Sequence, residues 1–428
     1  MTAKNNIPAG YKDSAVGIIP QEWEVKRLAE LCQNTGDYGI NAPAVSYRED
    51  LPTYLRITDI DGWGKFIETD KVSVDNPNSS QFILREGDIV FARTGATVGK
   101  TYLYDSKDGQ LVFAGFLIRF TPNPNKAVPY YIKACTETAS YWNWVRVISQ
   151  RSGQPGINSV EYGAMKLAVP PMEEQRKIAE ILGVWDEAIE KQSRLIEKLE
   201  LRKRALMQRL LTGRTRLPGF TTPWQKVKLG EIGTFLSTNT LSRDKLNDNN
   251  GSIQNIHYGD ILVKYSSIVD AKLTAIPYVN EDVAISSDYL ENGDIVFSDT
   301  AEDNIVGKAV EISNIADKKI VAGLHTMLFR PNKGSYAQHF LGYYLNSDAY
   351  RKQLAPLIQG IKVCSISKRA ICHTIVLTTS LPEQKAIAEV LTTADDEITT
   401  HRKKLDALRL QKRGLMQQLL TGKTRVKI

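Results

Sequence analysis

At 428 residues the chain exceeds one ordinary domain, and domains of roughly 100 to 200 residues predict two to four separate cores. Its 42% hydrophobic and 24% charged residues exclude a largely disordered chain. A net charge of +7 and a pI near 9.0 suit a nucleic-acid partner without requiring one. The opening MTAKNNIPAG lacks the apolar core of a signal peptide, and the longest apolar stretch, around Leu111 to Ile118, is far too short to span a bilayer, so a cytoplasmic protein is expected. Cys32, Cys135, Cys364 and Cys372 form no CxxC pair, and only Cys372 has a neighbouring histidine, His373. Reduced, mostly buried thiols and no metal site are expected.

In chain order, an N-terminal segment (1–22) precedes a first head (23–171). That head opens on Trp23, Leu28 and Glu30, carries EGDIVFARTGATVGK from Glu86 to Lys100, and then has Ala-Gly followed by Phe-x-Pro-Asn between Ala114 and Asn123. A long helical pattern fills 172–215. The second head (216–380) repeats the order with Trp224, Leu229 and Glu231, NGDIVFSDTAEDNIVGK from Asn292 to Lys308, and the Ala-Gly and Phe-x-Pro-Asn elements between Ala322 and Asn332. A second helical pattern closes the chain at 381–428. Glu174 pairs with Glu383 and Arg216 with Arg425 at a constant offset of 209 without a gap, and about half of the paired residues are identical. The heads diverge most at GDYGINAPAVSYREDLPTYLRITDIDGWGKF and TNTLSRDKLNDNNGSIQNIHYGDILVKY. A frame has been duplicated and its loops rewritten.

In the first helix Ile178, Leu182, Trp185, Ile189, Gln192, Ile196, Leu199, Lys203, Leu206 and Leu210 alternate by four and three, the seam spacing of a coiled coil. The second repeats it with Ile387, Leu391, Ala394, Ile398, His401, Leu405, Leu408, Lys412, Leu415 and Leu419. Each ends at Leu-Leu-Thr-Gly, where Gly213 and Gly422 suit the left-handed residue that terminates a helix. About 40 residues at ~1.5 Å each make a rod of ~60 Å, longer than one ~34 Å turn of duplex DNA. Because one chain supplies two apolar seams, an antiparallel pairing within the chain is expected rather than a homodimer.

The paired EQ-x-x-IAE-x-L helix starts, the LLTG ends and the GDIVF motif resemble the specificity subunit of type I restriction-modification systems, over nearly the whole chain. The openings YKDSAVGIIPQEWEVKRL and TRLPGFTTPWQKVKL are similar to those of target-recognition domains in that family. The resemblance implies a non-catalytic subunit with two such domains, each reading one half of a split, asymmetric target in double-stranded DNA. It also implies two methyltransferase subunits that bring S-adenosylmethionine and methylate adenine, and restriction subunits that bring ATP and Mg; no cofactor is expected in this chain. The residues agree by what they lack. The Pro170-Pro171 pair is preceded by Val169 and followed by Met172, unlike the Asn/Asp-Pro-Pro-aromatic motif of an adenine methyltransferase. GATVGKT, from Gly95 to Thr101, has three residues between its glycines where a phosphate-binding loop needs four, and a strand-like Tyr102 to Tyr104 follows it.

Affinity for a duplex comes largely from Lys and Arg on phosphates, and specificity from side chains on base edges and from DNA shape. In the first head the candidates are Tyr38, Arg56, Lys65, Arg93, Thr94 and Lys100, with Gln150, Arg151 and Gln154 in the loop QRSGQPGIN. In the second they are His257, Tyr258, Lys264, Lys308, Gln359, Lys362, Ser365 and Lys368. Arginine and glutamine suit bidentate contacts to guanine and adenine.

The expected fold is mixed α/β: two recognition domains with short strands, separated by two long antiparallel helices forming an intramolecular coiled coil with pseudo-two-fold symmetry. Residues 1–22 are expected to pack near the C-terminal helix, by their likeness to the link between the first helix and the second head. The rival readings are a coiled-coil scaffold whose heads bind protein and a nucleotide-binding enzyme using GATVGKT.

Overall fold

A computed structural model describes residues 7–151, 153–281 and 283–428, so the first six residues of the N-terminal segment lie outside the described residues. The chain divides into two compact units, Met1–Gln192 with Lys404–Ile428, and Ser193–Lys403. Each is a mixed head of strands and short helices completed by part of both long helices.

In the first unit, one antiparallel sheet has the order Asp37–Tyr38, Leu117–Phe120, Ile89–Ala92, Thr101–Leu103. A second sheet has the order Leu111–Phe113, Thr53–Leu55, Val72–Ser73, Val45–Ser46, its first pair parallel. Ile89–Ala92 and Leu111–Phe113 are buried along their whole length, which explains runs without polar alternation. Glu24–Arg27 pairs with Lys166–Val169 and so ties the start of the head to its end.

The second unit repeats this strand order. Gly233–Leu236, Thr326–Pro331, Ile295–Ser298 and Ala309–Ser313 form one sheet, extended by Ile268–Asp270, which lies parallel to Ala309–Ser313. Lys319–Ala322, Ile253–Ile256, Tyr278–Val279 and Leu246–Asn247 form the other, again with its first pair parallel. Gln225–Lys228 pairs with Ile375–Thr378.

The long helices are Met172–Leu210 and Leu381–Leu419, 39 residues each. In the first unit Ile178 and Leu182 share a core with Trp23, Phe91, Met416 and Leu419. Here Glu174 bonds Arg425 and Asp186 bonds Lys412, so the two helix segments run in opposite senses. In the second unit Leu210 and Leu211 share a core with Phe297, Tyr343, Ile387 and Leu391. There Arg216 bonds Glu383 and Lys203 bonds Asp395, again in opposite senses. Of the seam residues, Ile178, Leu182, Ile196, Leu199, Leu210, Ile387, Leu391, Ile398, Leu405 and Leu419 are buried. Trp185, Ile189, Leu206, Leu408 and Leu415 are half-buried.

The sequence repeats at the helix ends have a common physical cause. Glu174 is fully buried, held by Arg425 through Nε and Nη2 at 2.6 and 2.9 Å, and accepts the Trp23 indole N–H at 3.0 Å. Glu383 is buried equally, held by Arg216 at 2.5 and 2.7 Å, and accepts the Thr379 hydroxyl. The adjacent Gln175 and Gln384 each accept one backbone N–H from the head, at Val128 and Ala337 (both 2.9 Å). The polar seam lysines are paired as well. Lys412 donates to Asp186 (2.7 Å) and Glu137 (3.3 Å), and Lys203 donates to Asp395 (2.6 Å) while lying over the Tyr343 ring. Buried ion pairs favour one registry, because a slipped helix would leave their charges unpartnered.

Both helices stop at glycines with φ of +68° and +69°, Gly213 and Gly422. Space demands glycine there too: a Cβ at Gly213 would press on the Trp224 ring, and one at Gly422 would lie 2.4 Å from Pro20. The Tyr11 hydroxyl also donates to the Gly422 carbonyl at 2.8 Å. The four cysteines are free thiols, and burial pushes Cys32 and Cys135 up to about 12. Among the described residues no helix is long and apolar enough to cross a membrane, and no cluster of His, Cys, Asp or Glu could hold a metal ion.

Candidate nucleic-acid interface

The GDIVF motif builds the scaffold of each head. Asp88 is buried at the turn into its strand, accepting the Arg85 N–H (2.9 Å) and the Thr121 hydroxyl (2.5 Å). Asp294 likewise accepts the Glu291 N–H at 2.7 Å and is clamped by Arg330 at 2.9 and 2.7 Å. The lysine of each Val-Gly-Lys is a tie. Lys100 Nζ donates to the Ile60 carbonyl (3.1 Å), and Lys308 Nζ to those of Leu262 (3.1 Å) and Tyr265 (2.8 Å); burial lowers the Lys308 ammonium's pKa. Gly95–Thr97 is one 3-10 turn leading into strand Thr101–Leu103, so GATVGKT connects two strands and its lysine is engaged by protein.

In the first head six candidates converge on one edge. The Arg93 guanidinium lies 4.9 Å over the Tyr38 ring, and the Tyr38 hydroxyl accepts the Ser159 N–H at 3.2 Å. Thr94 bridges to Gly156, Gly95 N–H donates to Pro155, and the Gln154 amide lies against Gly95. Arg151 pairs with Glu161 at 2.5 Å and donates to the Gln150 carbonyl at 2.9 Å, while the Gln150 side chain is exposed. Arg56, Lys65 and Lys100 belong elsewhere, around the turn Ile57–Asp59 and the loop after it. There Arg56 is clamped to Asp59 at 2.7 and 2.9 Å, and Lys65 is exposed with its N–H on Asp61.

In the second head Thr300 pairs with Ser365, whose N–H and carbonyl also bond Gln359. His257 is buried, caps the short helix Tyr258–Val263 by accepting the Gly259 N–H, and has its pKa lowered by burial. Its ring lies 4.6 Å from that of Tyr258, which meets His325 edge-on at 5.3 Å. Lys264 pairs with Asp260 at 3.1 Å. Lys362 is exposed between Ile361 and Val363, and exposed Lys368 has its ammonium 5.8 Å from the Phe235 ring.

Phe116, Asp299 and His325 lie on these same edges and escaped the sequence reading. Phe116 is 56% exposed and accepts the Arg93 N–H. Asp299 is hydrogen-bonded to Thr300 and faces His325 at 3.3 Å. The available signal was a mismatch inside a matched motif: GDIVF is followed by Ala-Arg-Thr in one copy and Ser-Asp-Thr in the other.

Known proteins share this organisation. A family model described as the type I restriction modification DNA specificity domain matches residues 20–201 and again 221–410. A Methanocaldococcus jannaschii protein named as a type I restriction enzyme MjaX specificity subunit is 26% identical, over 97% of each chain. The MjaVIII specificity subunit of the same organism is 24% identical over 96% of this chain and 94% of its own. The fold resembles the solved S subunit of a type I restriction-modification system from M. genitalium (14% identity, 98% of each chain, TM-score 0.54). It also resembles a chain from a structural study of complex assembly and conformational transition in the type I R-M system (18% identity, 95% of this chain and 99% of that one, TM-score 0.54). With two matched segments that together span most of its length, the chain belongs to the type I restriction-modification DNA specificity family.

Proposed function

We propose that this chain reads a bipartite, asymmetric DNA target, with residues 23–171 recognising one half-site and residues 216–380 the other. The observation that carries this reading is the repetition of one strand order in two heads whose exposed edges differ in side chain. One head presents Tyr38 and Arg93, the other Tyr258 and Ser365. The long helices, 172–215 and 381–428 with their closing segments, act as an antiparallel coiled-coil spacer with pseudo-two-fold symmetry. Their equal length and the matched Glu-Arg and Asp-Lys pairs at their ends support that role. Residues 1–22 close the arrangement at the C-terminal end, as the Tyr11 bond to Gly422 suggests.

The chain itself is non-catalytic. It docks two methyltransferase subunits, which bring S-adenosylmethionine and methylate adenine, and restriction subunits, which bring ATP and Mg. Repeated helix surfaces in one chain suit two copies of one partner. Exchanging residues 23–171 for the corresponding head of another family member tests the reading. One half-site of the methylated sequence changes and the other stays; a change in both halves, or in neither, refutes it.

A further inference from the structure

We infer that Arg93 and Asp299 are paired specificity residues with opposite hydrogen-bonding polarity, Arg93 donating to a guanine and Asp299 accepting from the exocyclic amino group of a cytosine. The inference rests on the two-headed DNA reading above.

The two heads share the backbone around these residues. Arg93 N–H donates to the Phe116 carbonyl at 3.0 Å and Arg93 C=O accepts from Ile157 N–H at 2.9 Å. Asp299 N–H donates to the His325 carbonyl at 3.0 Å and Asp299 C=O accepts from Ile366 N–H at 2.9 Å. Each residue directly follows its GDIVF strand and precedes a threonine, Thr94 or Thr300, that pairs across to the loop before a short helix. Within this duplicated frame, positions that serve the scaffold keep their side chain, as Asp88 and Asp294 or Lys100 and Lys308 do. Arg93 and Asp299, with their neighbours Phe116 and His325, share backbone bonds and differ completely in chemistry. Folding therefore does not dictate these side chains; what they face does.

The local chemistry says what each faces. Arg56 and Arg151 of the same head are neutralised by carboxylates, whereas Arg93 makes no ion pair among the described residues. Its guanidinium rests on the Tyr38 ring and reaches the Gly115 carbonyl only at 3.4 Å, leaving a braced fork that matches guanine O6 and N7. On Asp299, Oδ1 accepts the Thr300 hydroxyl at 2.8 Å and faces His325 Nδ1 at 3.3 Å, while Oδ2 accepts no hydrogen bond among the described residues. A carboxylate is repelled by phosphates, so beside DNA it suits a base edge that donates, and in the major groove cytosine N4 is such a donor. His325, the residue bracing Asp299, is held at φ +54° with the Tyr258 ring edge-on to it. A non-glycine residue held in that conformation is strain of the kind that clusters at binding sites.

The test maps methylated adenines in cells that carry the methyltransferase subunit with wild-type chain, Arg93→Ala, Arg93→Lys, Asp299→Asn or Asp299→Ala. Arg93→Ala relaxes one guanine position of one half-site by roughly 10- to 100-fold in preference, and Arg93→Lys relaxes the same position less. Both Asp299 variants relax one cytosine position in the other half-site. An unchanged sequence methylated less completely, or relaxation at a different base, overturns the assignment and marks a phosphate or structural role. Purified variants with wild-type melting temperatures exclude misfolding as the cause, and Asp299→Asn keeps an acceptor for Thr300. If the wild-type target is continuous, the two-headed reading falls first and takes this assignment with it.

Discussion

Replacing Arg425 with alanine strips Glu174 of its guanidinium and leaves a fully buried carboxylate with the Trp23 indole N–H. Breaking a buried ion pair from one side costs about 3–5 kcal/mol. The Arg425 side chain is 36% exposed, so water reaches the vacated space and the expected loss falls to about 2–3 kcal/mol. Urea unfolding followed by tryptophan fluorescence measures it. Trp23, Trp63, Trp142, Trp144 and Trp185, five of the six tryptophans, belong to the unit that Arg425 closes. With a slope of about 2 kcal/mol per molar urea, the midpoint falls by roughly 1 M. Glu174→Gln combined with Arg425→Met recovers part of that loss, because a neutral amide needs no counter-charge. Arg202→Ala, which removes a more exposed pair with Glu397, shifts stability by less than about 1 kcal/mol. An Arg425→Ala midpoint within about 0.3 M of wild type would refute the claim that this pair holds the helix end.

Burial raises the Glu311 carboxyl to about 7, against the His339 and Gly342 N–H groups that bond it. The folded chain then keeps a proton that the unfolded chain, near 4.5, releases. Stability therefore falls as pH rises from about 4.5 to 7, by an order of 3 kcal/mol, and Glu311→Gln flattens that slope in pH-dependent melts. A wild-type slope of the opposite sign contradicts this account. Gly422→Ala meets Pro20 at 2.4 Å with φ +69° and destabilises by more than about 1 kcal/mol. Gly183→Ala, in a helix with open space at its Cβ, instead stabilises by up to about 1 kcal/mol; equal effects in thermal melts contradict the contrast. Lys100→Ala leaves ATP affinity unchanged in equilibrium dialysis, because its ammonium is tied to Ile60; an ATP affinity that the substitution abolishes would restore the nucleotide-binding reading.

The parts of the fold that follow local rules were visible in the sequence. The long helices announce themselves through a four-three apolar alternation, and their ends through Leu-Leu-Thr-Gly. The strand topology was hidden, because strands such as Asp37–Tyr38 and Val45–Ser46 are two residues long and owe their existence to partners distant in sequence. The repeated Glu-Gln and Thr-Arg were visible as repetition but not as chemistry, since Glu174 and Arg425 meet only after the chain has returned upon itself. Residue type also overstated the candidate site. Arg56, Lys100 and Lys308 look like phosphate ligands in a list, yet each is engaged by a carboxylate or carbonyl of the protein. Asp299 was overlooked for the complementary reason, that an acidic residue does not suggest DNA until its place beside Thr300 and His325 is seen.

In the two-headed reading proposed above, one chain carries two independent readers of DNA. The most direct measurement is a genome-wide map of methylated adenine in cells that express this chain with its methyltransferase partner. Two short, different sequences separated by a fixed number of unspecified bases are expected at every methylated site. A single continuous sequence, or methylation that does not depend on this chain, would contradict that reading.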